Sequence, residues 1–132
     1  MTGVPILVVD DHSLNLKLTK LLLEQEGYVV QTAADAERAL DVLHTFSPRL
    51  ILMDLQLPGM DGFELTRRLK RDAATRDVII VALTAYAMTG DEQRALESGC
   101  DGYLAKPVDT RTLASQVAGY LNGSRKIRED VQ

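Results

Sequence analysis

Five polar residues stand at the ends of short, wholly apolar runs, and this arrangement constrains the fold more than any other feature of the chain. Asp10 and Asp11 follow ILVV, Asp54 follows LILM, Thr84 follows VIIVAL, and Lys106, ahead of Pro107, follows Tyr-Leu-Ala. An apolar run of this length is the pattern of a strand buried on both faces of a parallel sheet. In an open α/β sheet the carboxyl ends of such strands border the ligand crevice. Three carboxylates, a hydroxyl and an ammonium are therefore expected along one edge. Close carboxylates repel, and one takes up a proton unless a cation lies among them. A hard divalent ion such as Mg2+ suits oxygen ligands and commonly accompanies phosphate. Lys106 and Thr84 are then placed to hold phosphate oxygens.

Strand-like and helix-like patterns alternate five times. Strands are expected near Ile6–Val9, Tyr28–Thr32, Leu50–Met53, Val78–Leu83 and Gly102–Leu104. Helices are expected near Ser13–Glu26, Asp35–Phe46, Phe63–Arg71, Thr89–Ser98 and from Asp109 to Leu121. Leu14, Leu18, Leu21 and Leu22 share one face of the first helix. Gly27 and Gly99 end helices, Asp35 reads as an N-cap, and Ser47-Pro48 is a stop. Pro58-Gly59 and Asp61-Gly62 are turn dipeptides after Asp54. Asn122-Gly123 predicts the end of the last helix, with a frayed charged tail beyond it. Five (βα) units joined by short connections make an α/β fold, a single (βα)5 doubly wound parallel sheet. Right-handed crossovers limit the topologies, and the flavodoxin-like strand order 2-1-3-4-5 is the expected one; it brings the first and third strands together at the switch point. The predicted organisation is one domain over 1–122 and a flexible tail over 123–132.

Composition narrows the function classes. The chain has 132 residues, 45% of them hydrophobic, no Trp and two Phe, so its core is aliphatic. A net charge of -4 provides no basic stripe for nucleic acid. One cysteine, Cys100, excludes a disulfide framework and reads as a small core residue. MTGVPILVVDDHS has no basic leader, and no run approaches the ~20 apolar residues of a membrane span. A cytoplasmic location is the expectation, and the Met close to the first strand fits a natural N-terminus. GxxxxGK[ST], GxGxxG and G-x-S-x-G are all missing, against P-loop, dinucleotide-binding and hydrolase-elbow chemistry. His12 and His44 are far apart in sequence, and neither has a second ligand at metal spacing. Taken alone, Asp10 and Asp11 read as caps of the first helix, Thr84 as a strand-end hydroxyl, and Tyr103 as a core or edge aromatic. Asp54 following a second buried strand moves the balance toward a metal site.

The stretch from Pro5 to Leu121 resembles the receiver domains of two-component response regulators, the CheY-like family, whose strand order is the one given above. The matching residues are Asp10-Asp11, Asp54 in LILMDLQLPGMDG, Thr84-Ala85, and Tyr103 with Lys106-Pro107 in GCDGYLAKP. The string VALTAYAMTGDEQRALESGCDGYLAKP looks like single-domain DivK-type regulators and the receivers of hybrid histidine kinases. The resemblance implies that Asp54 accepts a phosphoryl group from a histidine kinase or histidine phosphotransfer protein. It implies that Asp11 binds Mg2+ directly and Asp10 through water, with Asp54 and the Gln56 backbone carbonyl completing the set. Thr84 and Lys106 would contact the phosphoryl oxygens, Tyr103 would rotate with Thr84, and the Lys106-Pro107 peptide would be cis. The implied protein is a switch and not an enzyme, acting on a downstream protein partner, without nucleic acid or membrane, as a monomer or a weak phosphorylation-dependent dimer. A haloacid-dehalogenase-like phosphatase fits less well, because it needs Asp-x-Asp after the first strand. A pseudo-receiver scaffold fits poorly with the full acidic set. A receiver excised from a larger kinase remains a third possibility.

Overall fold

The computed structural model describes residues 3–84 and 91–131, with side chains over 3–84 and 93–123. Its elements are β1 (Pro5–Val9), α1 (Ser13–Gln25), β2 (Val29–Ala33), α2 (Ala36–Leu43), β3 (Leu50–Asp54), α3 (Gly62–Arg71), β4 (Ile79–Thr84), α4 (Asp91–Ser98), β5 (Gly102–Ala105) and α5 (Leu113–Val131). The strands form one parallel sheet in the order β2-β1-β3-β4-β5. The two faces of the sheet bury separate aliphatic clusters. Leu7, Val9, Ile51, Met53, Ile80 and Ala82 pack beneath α2, α3 and α4 through Ala36, Ala39, Leu65, Leu69 and Ala95. Ile6, Val8, Leu50, Leu52, Val81 and Leu83 pack beneath α1 and α5 through Leu23, Leu113, Val117 and Leu121. Alternation of inward residues along β1, β3 and β4 thus supplies both cores at once. Cys100 belongs to the first cluster, and burial pushes its thiol pKa up.

Local chemistry sets the element ends. Asp35 and Asp61 accept hydrogen bonds from the backbone N–H groups of Arg38 and Glu64, at 2.8 and 2.9 Å, and so cap α2 and α3. Gly27 and Gly99 adopt φ of 95° and 111°, the left-handed conformation that closes a helix without a Cβ penalty. Arg94 lies 4.2 Å over the Phe63 ring and ties α4 to α3. Lys70, near the end of α3, donates to the Val78 carbonyl at 2.7 Å and to Asp101 Oδ2 at 2.9 Å. Asp101 Oδ2 also accepts from the Ile80 N–H at 2.9 Å. This network staples α3 to the starts of β4 and β5.

Three sequence expectations differ from the structure. Leu14, Leu18 and Leu21, read as one face with Leu22, are 81, 37 and 54% exposed, whereas Leu22 packs on the core together with Leu16, Thr19 and Leu23. The helix carries leucines on more than one face, and the face turned to the sheet is set by how the chain leaves β1. Helix α2 ends at Leu43, with the backbone tightening through His44 and Thr45 before Pro48. Helix α5 starts at Leu113 rather than near Asp109 and continues through Asn122-Gly123 to Val131. One Gly costs a helix only about 1 kcal/mol, which the helix-favouring Arg, Lys and Glu beyond it offset. The predicted start of the fourth helix at Thr89, and Ala85, lie outside the described residues. No helix among the described residues is long and apolar enough to cross a membrane.

Candidate functional site

The sheet register assembles the site. Val9 pairs with Met53, so Asp10 leaves β1 alongside Asp54 at the end of β3. Asp54 lies opposite Leu83, next to Thr84 at the end of β4, and Thr84 lies opposite Ala105, next to Lys106. The polar ends of β1, β3, β4 and β5 thus come together at one edge of the sheet, while the apolar run behind each anchors its strand in the core. Asp10, Asp54 and Thr84 are buried, and Asp11 is at the surface.

The alternative reading of Asp10 and Asp11 as helix caps is decided by geometry. The N-cap of α1 is His12, and no side chain caps the helix. Asp10 Oδ1 accepts from the His12 N–H at 2.9 Å, which holds that carboxylate in its own turn at the pocket. Asp54 is held in the same manner: Oδ1 accepts from the Gln56 N–H at 2.9 Å, while Oδ2 accepts from Lys106 Nζ at 3.2 Å. Lys106 Nζ also lies 3.4 Å from Asp10 Oδ2, so one ammonium serves two buried carboxylates. The Lys106-Pro107 peptide bond is cis. The backbone N–H of Lys106 donates to the Thr84 carbonyl at 2.9 Å, linking the two strand ends.

The charge balance shows in Asp54. Its carboxyl pKa is raised above the ordinary aspartate value, chiefly by burial and further by Asp10, against the opposing pull of the Gln56 N–H and Lys106. A raised carboxyl with a second buried carboxylate beside it is a site that gains from another cation. Oxygen donors from Asp10, Asp11 and Asp54, together with a His12 ring nitrogen, all lie within 4.8 Å of one another. Three carboxylate oxygens converging on that scale fit a hard divalent ion.

Two features escaped the sequence reading. His12 is part of the cluster: its Nδ1 lies 3.1 Å from Asp10 Oδ1, 3.2 Å from Asp11 Oδ1 and 3.9 Å from Asp54 Oδ2. The usable signal is its adjacency to the acidic pair, since no second ligand stands at metal spacing from it in sequence. Gly62 is more than half of a turn dipeptide. A Cβ there would meet the Leu55 Cα at 2.7 Å and the Asp54 carbonyl oxygen, so only glycine lets the start of α3 rest on the Asp54–Leu55 peptide. The Gly62 N–H donates to the Leu55 carbonyl at 3.1 Å, which fixes that contact. Tyr103 stands on the outward face of β5, partly exposed, and Tyr120 donates to its carbonyl at 3.4 Å. A cavity of about 460 Å3 lined by Arg49, Asp77 and Tyr120 lies at the amino ends of β3 and β4, the opposite edge of the sheet from the carboxylates.

A family model described as the response regulator receiver domain matches residues 6–118. The chain belongs to that family. This makes it a receiver module of two-component signalling, with the strand order expected of the CheY-like fold. The receiver is 39% identical over 116 residues to the polar-differentiation response regulator DivK of Brucella ovis, covering 88% of this chain and 94% of that one. It is similar to a solved CheY-like receiver domain protein from Methanospirillum hungatei JF-1, with a TM-score of 0.84, 32% identity, and coverage of 96% and 99% of the two chains. It is equally similar to the receiver domain of the sensor histidine kinase PA1611 from Pseudomonas aeruginosa PAO1, with a TM-score of 0.84, 34% identity, and coverage of 92% and 100%. That structure has a magnesium ion coordinated in its active site cleft.

Proposed function

We propose that this receiver, spanning residues 1–122, accepts a phosphoryl group on Asp54 from a phosphohistidine of a histidine kinase or phosphotransfer protein. The observation that carries the reading is the buried Asp54 carboxylate, fixed through Oδ1 by the Gln56 N–H and faced at Oδ2 by Lys106. In the transfer, a carboxylate oxygen of Asp54 forms the new P–O bond. The P–N bond of the donor breaks and its electron pair returns to the donor imidazole. Mg2+ held by Asp10, Asp11, Asp54 and the Gln56 carbonyl would neutralise the negative charge that gathers as the phosphoryl group approaches the carboxylate. Lys106 supplies a fixed positive charge from the other side, at the strand end where the phosphoryl oxygens arrive. Thr84 offers a hydroxyl at the end of β4. Little beyond this positioning and charge stabilisation is required of the protein.

The switch would run through Thr84 and Tyr103, on adjacent strands of the sheet. A hydroxyl drawn toward a phosphoryl group vacates space beneath the outward tyrosine, and its ring can turn inward. The surface formed by α4, β5 and α5 would then present a new face to a downstream protein, as a biased equilibrium of two conformations. The partner that delivers phosphate would cover the pocket mouth. The exposed Leu14, Leu18 and Leu21 begin two residues after His12 and offer an apolar strip along α1 for that contact. The expected result of incubation with acetyl phosphate and Mg2+ is one added phosphoryl group, located on Asp54 by mass spectrometry. Labelling at the same rate in Asp54→Asn would assign the acceptor elsewhere.

A further inference from the structure

We propose that His12 is a donor to the metal site and tilts its preference from Mg2+ toward divalent ions that favour nitrogen, such as Co2+, Ni2+ and Zn2+. The inference rests on the metal reading of the Asp10–Asp11–Asp54 cluster. Metal bonds of about 2.1 Å at right angles place neighbouring donors about 3 Å apart. His12 Nδ1 lies 3.1 Å from Asp10 Oδ1 and 3.2 Å from Asp11 Oδ1, the spacing of neighbouring donors around one ion. The 3.9 Å to Asp54 Oδ2 keeps the third carboxylate in the same shell with a small adjustment.

The backbone at His12 is fixed beside the carboxylates. The His12 N–H is tied to Asp10 Oδ1, and the residue is the N-cap of α1 with φ of -92° and ψ of 107°, an unstrained extended conformation. The ring itself is mostly exposed, so no packing against the core competes with turning Nδ1 inward. Its surroundings are contradictory for a free imidazole. Two carboxylate oxygens call for Nδ1 as a donor, while Lys106 Nζ at 3.4 Å calls for it as an acceptor. An ion among the carboxylates removes the contradiction. The Nδ1 lone pair then turns to the ion together with the carboxylate oxygens. Oxygen-only sites suit Mg2+, whereas an imidazole in the set raises affinity along the first-row series from manganese to copper.

The probe is Co2+ with the whole chain. In the wild-type protein, Co2+ should produce a hyperfine-shifted, solvent-exchangeable proton resonance from the remote imidazole N–H, and the resonance should vanish in His12→Phe. Calorimetry should show Co2+ and Zn2+ affinities weakened by about tenfold or more in His12→Phe, the range seen when a contact supporting a metal site is lost, with Mg2+ affinity changed by less than about twofold. Either no shifted imidazole resonance in wild type, or equal weakening for Mg2+ and Co2+, overturns the assignment of His12. His12→Asn keeps the turn at α1 and should behave like His12→Phe. If it binds Co2+ as wild type does, the assignment also falls. Failure of the underlying metal reading looks different: Mg2+ binding that is absent from wild type, or that survives in Asp11→Ala, removes the site itself.

Discussion

Replacing Lys106 with Met removes the cation that serves two buried carboxylates and keeps an unbranched stem in its place. Its Nζ is 3.4 Å from Asp10 Oδ2 and 3.2 Å from Asp54 Oδ2, and the three side chains are 11, 2 and 3% accessible. Removing one partner at such burial leaves charge uncompensated and costs about 3 kcal/mol or more in metal-free buffer at neutral pH. Total stabilities of such domains are on the order of 5–15 kcal/mol, so the variant should fold with a visibly lower urea midpoint. At roughly 2 kcal/mol/M the midpoint falls by about 1.5 M. The pH dependence identifies the cause. Lys106 is one of the groups holding the Asp54 carboxyl down against burial, so its removal raises that carboxyl further. The folded state then keeps a proton that the unfolded chain has released. With more protons bound when folded, stability falls as pH rises from the unfolded carboxylate range, near about 4, through the raised folded value. The Lys106→Met penalty should therefore be small near pH 4 and grow toward neutrality. In an Asp54→Asn background it should shrink by about half or more, because one of the two charges needing Lys106 is gone. A penalty of equal size at both pH values and in both backgrounds would refute the electrostatic reasoning and assign the loss to packing of the lysine stem.

Gly62→Ala should cost about 1–3 kcal/mol by overpacking and slow acetyl phosphate labelling of Asp54 by about tenfold or more, because the shift falls on the acceptor's own peptide. Equal labelling rates for variant and wild type would show that α3 moves without carrying Asp54. Leu18→Glu and Leu21→Glu should change stability by no more than about 0.5 kcal/mol and leave acetyl phosphate labelling intact, yet slow transfer from a phosphohistidine protein. Unchanged transfer would remove α1 from the docking surface. Lys70→Met should cost about 3 kcal/mol in urea unfolding, since Asp101 loses its cation and the Val78 carbonyl its donor, while the folded variant still labels at Asp54.

The strands and the site edge were legible because both depend on short-range order. A run such as LILM followed by Asp54 marks the change from apolar strand to polar strand end within five residues, and parallel pairing carries each strand end to the same edge. What sequence left open required orientation in three dimensions. Helix α1 has leucines at 14, 16, 18, 21, 22 and 23, so periodicity supports two competing apolar faces. The structure buries the face with Leu16 and Leu23 and exposes the one with Leu14, Leu18 and Leu21. His12 joins the carboxylates through a turn between β1 and α1, where no fixed spacing rule applies. The contact of Gly62 with the Asp54–Leu55 peptide depends on how closely α3 approaches the end of β3, which a turn dipeptide does not encode.

The site works against the fold that carries it. Every residue of β3 is buried, and Asp54 is the one carboxylate at its end. Solvent cannot relieve the charge there, so its neighbours must, and the Asp54 carboxyl is raised even with Lys106 and the Gln56 N–H beside it. The aliphatic clusters on both sheet faces provide the stability against which this charge is held. That opposition suits a switch. A change of charge at Asp54 alters interactions with groups at the ends of β1, β4 and β5 together, because Asp10, Thr84 and Lys106 stand at or one residue beyond the ends of paired strands. Each is one backbone step from a core it cannot leave, so a response at the pocket has to appear where packing is looser. In the proposed switch, Tyr103 on the outward face of β5 and the helices flanking that edge would absorb such a displacement.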